Sequence, residues 1–221
     1  MYDVLDNPVW AALNGPHRRF AERTGRAARY QPDVTVFTGV AAADVVDDLA
    51  DLGGPDGMVV LTGVVPAPAG WAVVMDLPGV QLTGEAVEAA SDPEAVVLTA
   101  ADVPEMLELV ARTEPGPFRS RTIELGTYLG IRRDGALVAM AGERLHPPGW
   151  TEISAVCTDP AHRGQGLASR LTRAVVAGIR ARGEQPFLHA AATNHNAIRL
   201  YESIGFTLRR HTPLRSLRIP Y

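Results

Sequence analysis

The chain has 221 residues, 46% of them hydrophobic and 21% charged, and a formal net charge of −4. That length supports a sizeable core in one large or two small domains, and the composition excludes a disordered or low-complexity chain. The negative balance argues against general nucleic-acid binding, which calls for a strongly basic surface.

The single cysteine, Cys157, permits no intrachain disulfide, so the cysteine count points to no oxidising compartment. All 21 basic residues are arginine. Together with abundant Ala, Gly, Val and Pro, this reads as the product of a GC-rich bacterial genome. The first 94 residues hold 14 acids and 5 arginines, and the remainder 11 acids and 16 arginines. A positive second half suits a polyanionic ligand, although a chance division of solvated surface charge gives the same count.

The opening, Met1 to Trp10, has no basic region followed by an apolar run, so no secretory signal is expected. Pro8 to Arg23 carries Val9, Leu13 and Phe20 at weak helical spacing. Val34 to Val40 reads as a strand, and Ala42 to Leu52 as a helix stopped by Gly53-Gly54. Met58 to Met75 is uncharged. A membrane helix needs about 20 apolar residues, but Gly63, Pro66, Pro68 and Gly70 break the run into two strands around a turn, near Met58 to Leu61 and Trp71 to Asp76. No membrane association is expected, and the chain reads as cytoplasmic.

The second half is clearer. Ala95 to Thr99 is a strand, and Asp102 opens a helix to about Arg112 with Val103, Met106, Leu107 and Val110 on one face. Pro115 and Pro117 break it. Thr127 to Arg132 and Ala136 to Leu145 are strands joined at Asp134-Gly135, a strong hairpin signal. Pro147-Pro148-Gly149 turns the chain into a strand from Trp150 to Thr158. A helix from Gly166 to Arg182 follows, then a strand from Phe187 to Ala192. A short helix through Ala197, Leu200, Tyr201 and Ile204 precedes strands Phe206 to His211 and Leu214 to Ile219. This order predicts an α/β sheet of mixed direction, with a division into an N-terminal α/β region, 1–94, and a second domain, 95–221.

Between a strand and a helix lies Val156-Cys-Thr-Asp-Pro-Ala-His-Arg163-Gly164-Gln165-Gly166-Leu167-Ala168. Unpaired backbone N–H groups at such a helix start favour an anion, and Gly164 and Gly166 let a pyrophosphate come close. A Walker A loop is excluded, because it needs a lysine. A dinucleotide-binding turn needs a third glycine where Ser169 stands. What remains is Arg-x-x-Gly-x-Ala, met by Arg163, Gly166 and Ala168, or a glycine-rich turn with no ligand. Further on comes Asn194-His-Asn-Ala197-Ile-Arg-Leu200-Tyr201-Glu-Ser-Ile-Gly205-Phe206.

The two stretches, in this order, resemble the GNAT superfamily of N-acetyltransferases over about Ala95 to Ile219. The pair is far more specific than either part. Asp6-Asn-Pro-Val-Trp-Ala-Ala-Leu is similar to members of the subgroup related to glycine N-acyltransferases, and on that likeness the first half reads as a degenerate copy of the same fold without the phosphate loop. The resemblance implies a mixed, mostly antiparallel GNAT-type sheet flanked by helices, acetyl-coenzyme A as co-substrate, and no metal. Val156, Cys157 and Thr158 would form a splayed strand edge for the pantetheine arm. Arg163, Gly164, Gln165, Gly166, Leu167, Ala168 and Ser169 would cradle the pyrophosphate. Asn194 would bind the pantetheine amide or simply cap its helix. Ala197 shares the helix face of Tyr201, which is either the general acid toward the leaving sulfur or a core tyrosine. The base that takes the amine's proton is left open between Glu152, His189 and a water chain. His189 suits the task by its ordinary titration range.

Glu143 and Arg144 read as exposed polar alternation, with acceptor orientation as the alternative. Cys157 reads as structural. The expected function is transfer of an acetyl group to an amine, of a small molecule or amino acid, by direct attack in a ternary complex. The rival is a non-catalytic acyl-coenzyme A sensor or regulator. The chain is expected as monomer or homodimer.

Overall fold

A computed structural model describes residues 4–55, 57–63 and 67–220. A 3-10 turn at Val4–Asp6 leads into α1 (Pro8–Leu13), β1 (Ala21–Thr24), β2 (Ala27–Tyr30), β3 (Phe37–Val40), α2 (Val46–Gly53), β4 (Met58–Thr62), β5 (Ala72–Leu77) and β6 (Gly79–Thr83). Then come β7 (Val96–Val97), α3 (Val103–Thr113), β8 (Tyr128–Arg133), β9 (Ala136–Glu143), β10 (Trp150–Thr158), α4 (Leu167–Ala181), β11 (Gln185–Ala191), α5 (His195–Ser203), β12 (Thr207–His211) and β13 (Leu214–Arg218). The expected α/β class, mostly antiparallel and flanked by helices, is what the chain adopts.

Local chemistry explains most of these elements. Thr99 and Asp102 form a reciprocal capping box ahead of α3, and Glu114 ends that helix in a left-handed conformation just before Pro115. Asp134 and Gly135 both have positive φ, 50° and 84°, which suits a tight hairpin turn between β8 and β9. Helix α4 buries Leu167, Leu171, Val175 and Ile179, one stripe at helical spacing, against the central sheet.

Two sheets result. One has the order β1-β2-β3-β4-β13-β5, the other β12-β6-β11-β10-β9-β8-β7. Each contains one parallel pair, β3 with β4 and β10 with β11. Each parallel pair is bridged by a helix, α2 in the first sheet and α4 in the second. The two sheets therefore follow one plan: a hairpin, a third strand, a helix, and a parallel fourth strand.

Three sequence expectations need correction. The helix expected over Pro8 to Arg23 ends at Leu13, where Asn14-Gly15-Pro16 stops it, and β1 begins at Ala21. Strand β6 was not foreseen; it continues β5 after the single residue Pro78. The division at residues 94 and 95 does not follow sheet membership: β6 lies in the second sheet between β11 and β12, and β13 lies in the first between β4 and β5. Each region lends a strand to the other's sheet. Both crossings occur at prolines, Pro78 and Pro213, which lack the N–H needed to continue a ladder. They pack together, with the Thr212 amide donating to the Gly79 carbonyl. Of the turn residues expected between Met58 and Met75, Pro66 lies outside the described residues.

The cores follow the two sheets. The main cluster lies between the second sheet and helices α4 and α5, and includes Leu82, Ile131, Ile153, Leu188 and Tyr201. Leu49, Leu61 and Trp71 form the core of α2 with β13 residue Leu217. No helix among the described residues is long and apolar enough to cross a membrane.

Because Leu217 is fully buried in that core, Leu217→Ala is expected to cost about 2–5 kcal/mol, although it lies near the end of the chain. A urea midpoint equal to that of the parent protein would show that β13 does not hold the first sheet together.

Candidate active site

The site begins with a break in pairing. Strand β10 runs parallel to β11 from Trp150↔Gln185 to Ile153↔Leu188, where the register ends. On its other side its register with β9 slips between Ser154 and Cys157. Ala155 sits in the slip with φ 52°, a left-handed conformation unusual for alanine. Beyond it, Cys157 and Thr158 stay paired with Met140 and Ala139 of β9. A wedge therefore opens toward β11, edged by the half-buried Val156 and Thr158. Thr158 Oγ1 is buried there with no hydrogen-bond partner among the described residues. Cys157 is buried, and burial pushes its thiol up to about 11, which suits a structural residue and not a nucleophile.

The chain then turns through Pro160–His162, where Asp159 caps by accepting from the Ala161 amide at 3.0 Å and pairs with Arg112. Gly164 (φ 78°) and Gly166 (φ 72°) follow, both exposed, and a Cβ at either would meet nothing within 4 Å. Gly166 is the residue before α4 and offers no side-chain cap. The amides from Gly164 through Ser169 donate to no acceptor among the described residues. Open glycine backbone and free amides at the start of a 15-residue helix fit a diphosphate. Arg163 and Gln165 are exposed beside this cradle, Ala168 and Ser169 are half-buried, and Leu167 anchors the helix in the core.

On the same side of the sheet, Asn194 caps α5: its Oδ1 accepts from the Ala197 amide at 3.1 Å, and its Nδ2 has no partner among the described residues. Ala197 and Tyr201 pack into the main core, and the Tyr201 ring meets Phe206 edge-on at 5.8 Å. Burial, with a smaller contribution from Cys157, pushes the phenol up to about 12. The hydroxyl stays protonated at neutral pH and has no hydrogen-bond partner among the described residues.

The opposite face carries the two candidate bases. Glu152 is 0% exposed. Arg144 grips it with two hydrogen bonds, Nε to Oε2 at 2.8 Å and Nη2 to Oε1 at 2.7 Å. His189 Nδ1 donates to Oε1 at 2.6 Å. Burial alone would raise the pKa of this carboxylate, but Arg144 and His189 outweigh it and hold it at about 2. Glu152, one of the three alternatives left open for the base, is therefore held as an ionised, paired carboxylate. The other nitrogen of His189, Nε2, lies 3.1 Å from Gln81 Nε2, whose amide also donates to the Leu5 carbonyl. With Nδ1 carrying the proton toward Glu152, Nε2 accepts from Gln81, so neither ring nitrogen is free. Glu143 and Arg144 are buried at 2% and 8% exposure, not on an exposed face. The Glu143 carboxylate takes Arg182 at 2.9 Å and the Thr127 amide at 3.1 Å, and Arg144 also stacks on Phe37.

The structure thus brings Glu152 and His189 together and sets Tyr201 on the other face of β11. Sequence reasoning missed Gln81, on an unforeseen strand. Among the described residues no three His, Cys, Asp or Glu side chains could hold a metal. An open cleft of about 480 Å³ at the strand crossing, lined by Asp76, His211 and Arg215, contains none of these residues.

Stability should follow pH through these groups. A carboxylate held below its ordinary value stabilises the fold above about pH 4.5, and that stability is lost as pH falls toward 2. Buried His17, lowered to about 3 by desolvation, adds a loss that begins near pH 6.5. Glu152→Gln is expected to lower stability at pH 7 by about 3–5 kcal/mol, since Arg144 loses its counter-charge, and to flatten only the limb below pH 4.5. Denaturant titrations from pH 7 to pH 2.5 check this; an unchanged lower limb would show that Glu152 is not held ionised.

Residues 128–214 match the FR47-like protein family. The N-alpha-acetyltransferase RimI of Mycobacterium tuberculosis is 36% identical over 120 residues, covering 49% of this chain and 75% of RimI. The mycothiol acetyltransferase of Thermobispora bispora is 47% identical over 57 residues, a quarter (25%) of this chain but only 19% of that protein. A crystal structure from Novosphingobium aromaticivorans, described as a GNAT-family acetyltransferase, superposes over 100% of both chains with a TM-score of 0.92 and 41% identity. With the opened strand pair, the glycine cradle and full-length likeness to a GNAT structure, this chain belongs to the GNAT family of N-acetyltransferases.

Proposed function

We propose that this protein acetylates a primary amine with acetyl-coenzyme A, by direct attack in a ternary complex. The observation that carries this reading is the set of free amides from Gly164 to Ser169, at the end of a strand that has just parted from its neighbour. Acetyl-coenzyme A, when bound, supplies a thioester whose sulfur can leave as thiolate.

The residues divide the work by position. The cradle amides, with Arg163 alongside, hold the pyrophosphate. The strand edge from Val156 to Thr158 borders the wedge, where β11 no longer pairs with it, and one amide of that edge holds the thioester carbonyl. A donor aimed at an oxygen that gains charge is typically worth about 2.7–4 kcal/mol. Asn194 keeps its cap through Oδ1 and offers Nδ2 to the pantetheine arm. Tyr201 holds a proton on a buried phenol and gives it to the departing sulfur.

Glu152 already accepts three hydrogen bonds from charged or ring donors, and the acceptor nitrogen of His189 takes Gln81. We assign them to positioning β10 and β11 at the point of divergence, and assign the amine's proton to water in the wedge. The first region is read as a degenerate copy of the second: its strand plan is the same, but the link from β3 to α2, residues 41–45, has no glycine. Its opening likeness to the glycine N-acyltransferase subgroup, and the name of the relative RimI, make an α-amine the first acceptor to test. A sensor that only held the coenzyme would have no use for an unpaired phenol at Tyr201.

Release of free thiol from acetyl-coenzyme A over a panel of amines tests the reading; coenzyme binding without release for any amine would favour the sensor. Tyr201→Phe is expected to lower kcat about 10²–10⁴-fold with calorimetric coenzyme affinity unchanged, and an unchanged kcat removes Tyr201 as the acid. Gly166→Val puts a branched Cβ into the cradle at φ 72°. It is expected to weaken coenzyme binding, and full affinity would show that the diphosphate lies elsewhere.

A further inference from the structure

The first region supplies no group to the chemistry proposed above, yet it holds one segment of the second. Residues 114–127, between α3 and β8, form a long connection whose only helical element is a 3-10 turn at Thr122–Leu125. Connections of that length are commonly functional or mobile, and this one is tied down from outside its own region.

The ties come from residues 31–34, between β2 and β3. Thr122 is 1% exposed. Its hydroxyl donates to the Val34 carbonyl at 2.6 Å and accepts from the Arg119 amide at 2.7 Å. The hydroxyl is thus used in both directions, and removing it would leave a buried carbonyl unpaired. The Arg121 amide donates to the Asp33 carbonyl at 3.0 Å. Its guanidinium reaches the Gln31 side chain at 2.8 Å and the Asp33 carboxylate at 3.2 Å.

The segment packs in two directions. Leu125 is buried with Tyr30, Val34 and Phe37, in the cluster built mainly on the first region. Phe118 and Ile123 belong instead with Tyr128, Met140, Ala155 and Cys157, around the bulge of β10. Phe118 meets the Tyr128 ring edge-on at 5.6 Å. Tyr128 is the register partner of Gly142 on β9, where a Cβ would lie 2.2 Å from a ring carbon. Gly142 in turn pairs with Ser154, the last residue before the strand slips. One packed path therefore leads from Val34 through Thr122, Phe118 and Tyr128 to Ala155, whose left-handed backbone needs enforcement from its surroundings.

We propose that the first region is a clamp on this bulge, and that Thr122 is the positioning residue through which it acts. The effect on rate rests on the acetyltransfer reading above; the effect on the backbone does not. With Thr122 tied to Val34, the strand edge past Ala155 keeps a fixed aim at the thioester carbonyl. With the tie removed, the bulge samples other backbone arrangements and the aim is lost. The cradle at the start of α4 lies outside this path and keeps its hold on the diphosphate.

Coupling of this kind has to be measured, since adjacency alone does not establish it. The test pairs Thr122→Val, which keeps the branched shape and removes both hydrogen bonds, with Thr122→Ser, which keeps the hydroxyl. Thr122→Val is expected to speed hydrogen exchange at the Arg121 amide and across residues 153–158. It is also expected to lower kcat for the fastest amine of the panel about 10–10²-fold, with calorimetric affinity for coenzyme A unchanged. Thr122→Ser is expected to restore both protection and kcat. Parent-like exchange across residues 153–158 in Thr122→Val would overturn the proposal. So would a serine variant no better than the valine one, or coenzyme affinity that falls in step with kcat. Should Thr122→Val not fold, Arg121→Ala removes the ties to Gln31 and Asp33, and parent-like exchange across residues 153–158 in that variant overturns the proposal instead. A parent protein that releases no thiol with any amine would overturn the acetyltransfer reading, while the exchange measurement still decides the clamp.

Discussion

The site depends on one constraint: β10 cannot stay in register with both neighbours past Ser154. Ala155 takes a left-handed conformation and the ladder to β9 slips. Such a conformation costs a non-glycine residue on the order of 1–3 kcal/mol and persists only where its surroundings enforce it. Here the enforcement is visible. Upstream, β10 is locked to β11 by the parallel ladder and by the Arg144–Glu152–His189 pairing. Downstream, Cys157 and Thr158 are held to β9, and Ala155 and Cys157 are packed into a cluster with Met140 and Tyr128. The backbone between has to turn, and the wedge follows.

That arrangement explains why the most ionic part of the molecule sits inside it. A fully buried carboxylate is expensive unless it is paired and well hydrogen-bonded. Glu152 is paired with Arg144 through two hydrogen bonds and takes a third from His189, which in turn leans on Gln81. Gln81 comes from a strand that crosses over from the other region, and its amide also reaches the Leu5 carbonyl. The passage of β6 into the second sheet therefore does more than join two regions: it carries Gln81 to the point where the central strands diverge. The charge-paired row ties β10 to β11, while the proposed chemistry falls to neutral groups, backbone amides and the Tyr201 phenol.

Much of this was legible in the residues. The helix α4, the hairpin at Asp134-Gly135 and the cap of α3 follow from short-range rules that act within a few residues. The open glycines Gly164 and Gly166 and the acceptor-free start of α4 were legible too, because both are properties of local backbone geometry. Tyr201 fell on the apolar face of α5 as its spacing requires. The surroundings of Glu152 were not legible. On β10 it reads as a solvated carboxylate or a base, and nothing nearby in the chain shows that Arg144, eight residues away, folds back onto it.

The sequence by itself determined most elements of the second half and the open, glycine-rich start of α4, since caps, turns and helical stripes are encoded within a single turn of chain. Only the tertiary structure decided which strands sit in which sheet, because a strand leaving at Pro78 or Pro213 can pair with any edge it reaches. It also decided that Glu152 is held in a buried ion pair and that the Tyr128 hydroxyl has no hydrogen-bond partner among the described residues. Protonation and hydrogen-bond satisfaction depend on partners brought from distant positions, and those partners exist only once the sheets have formed.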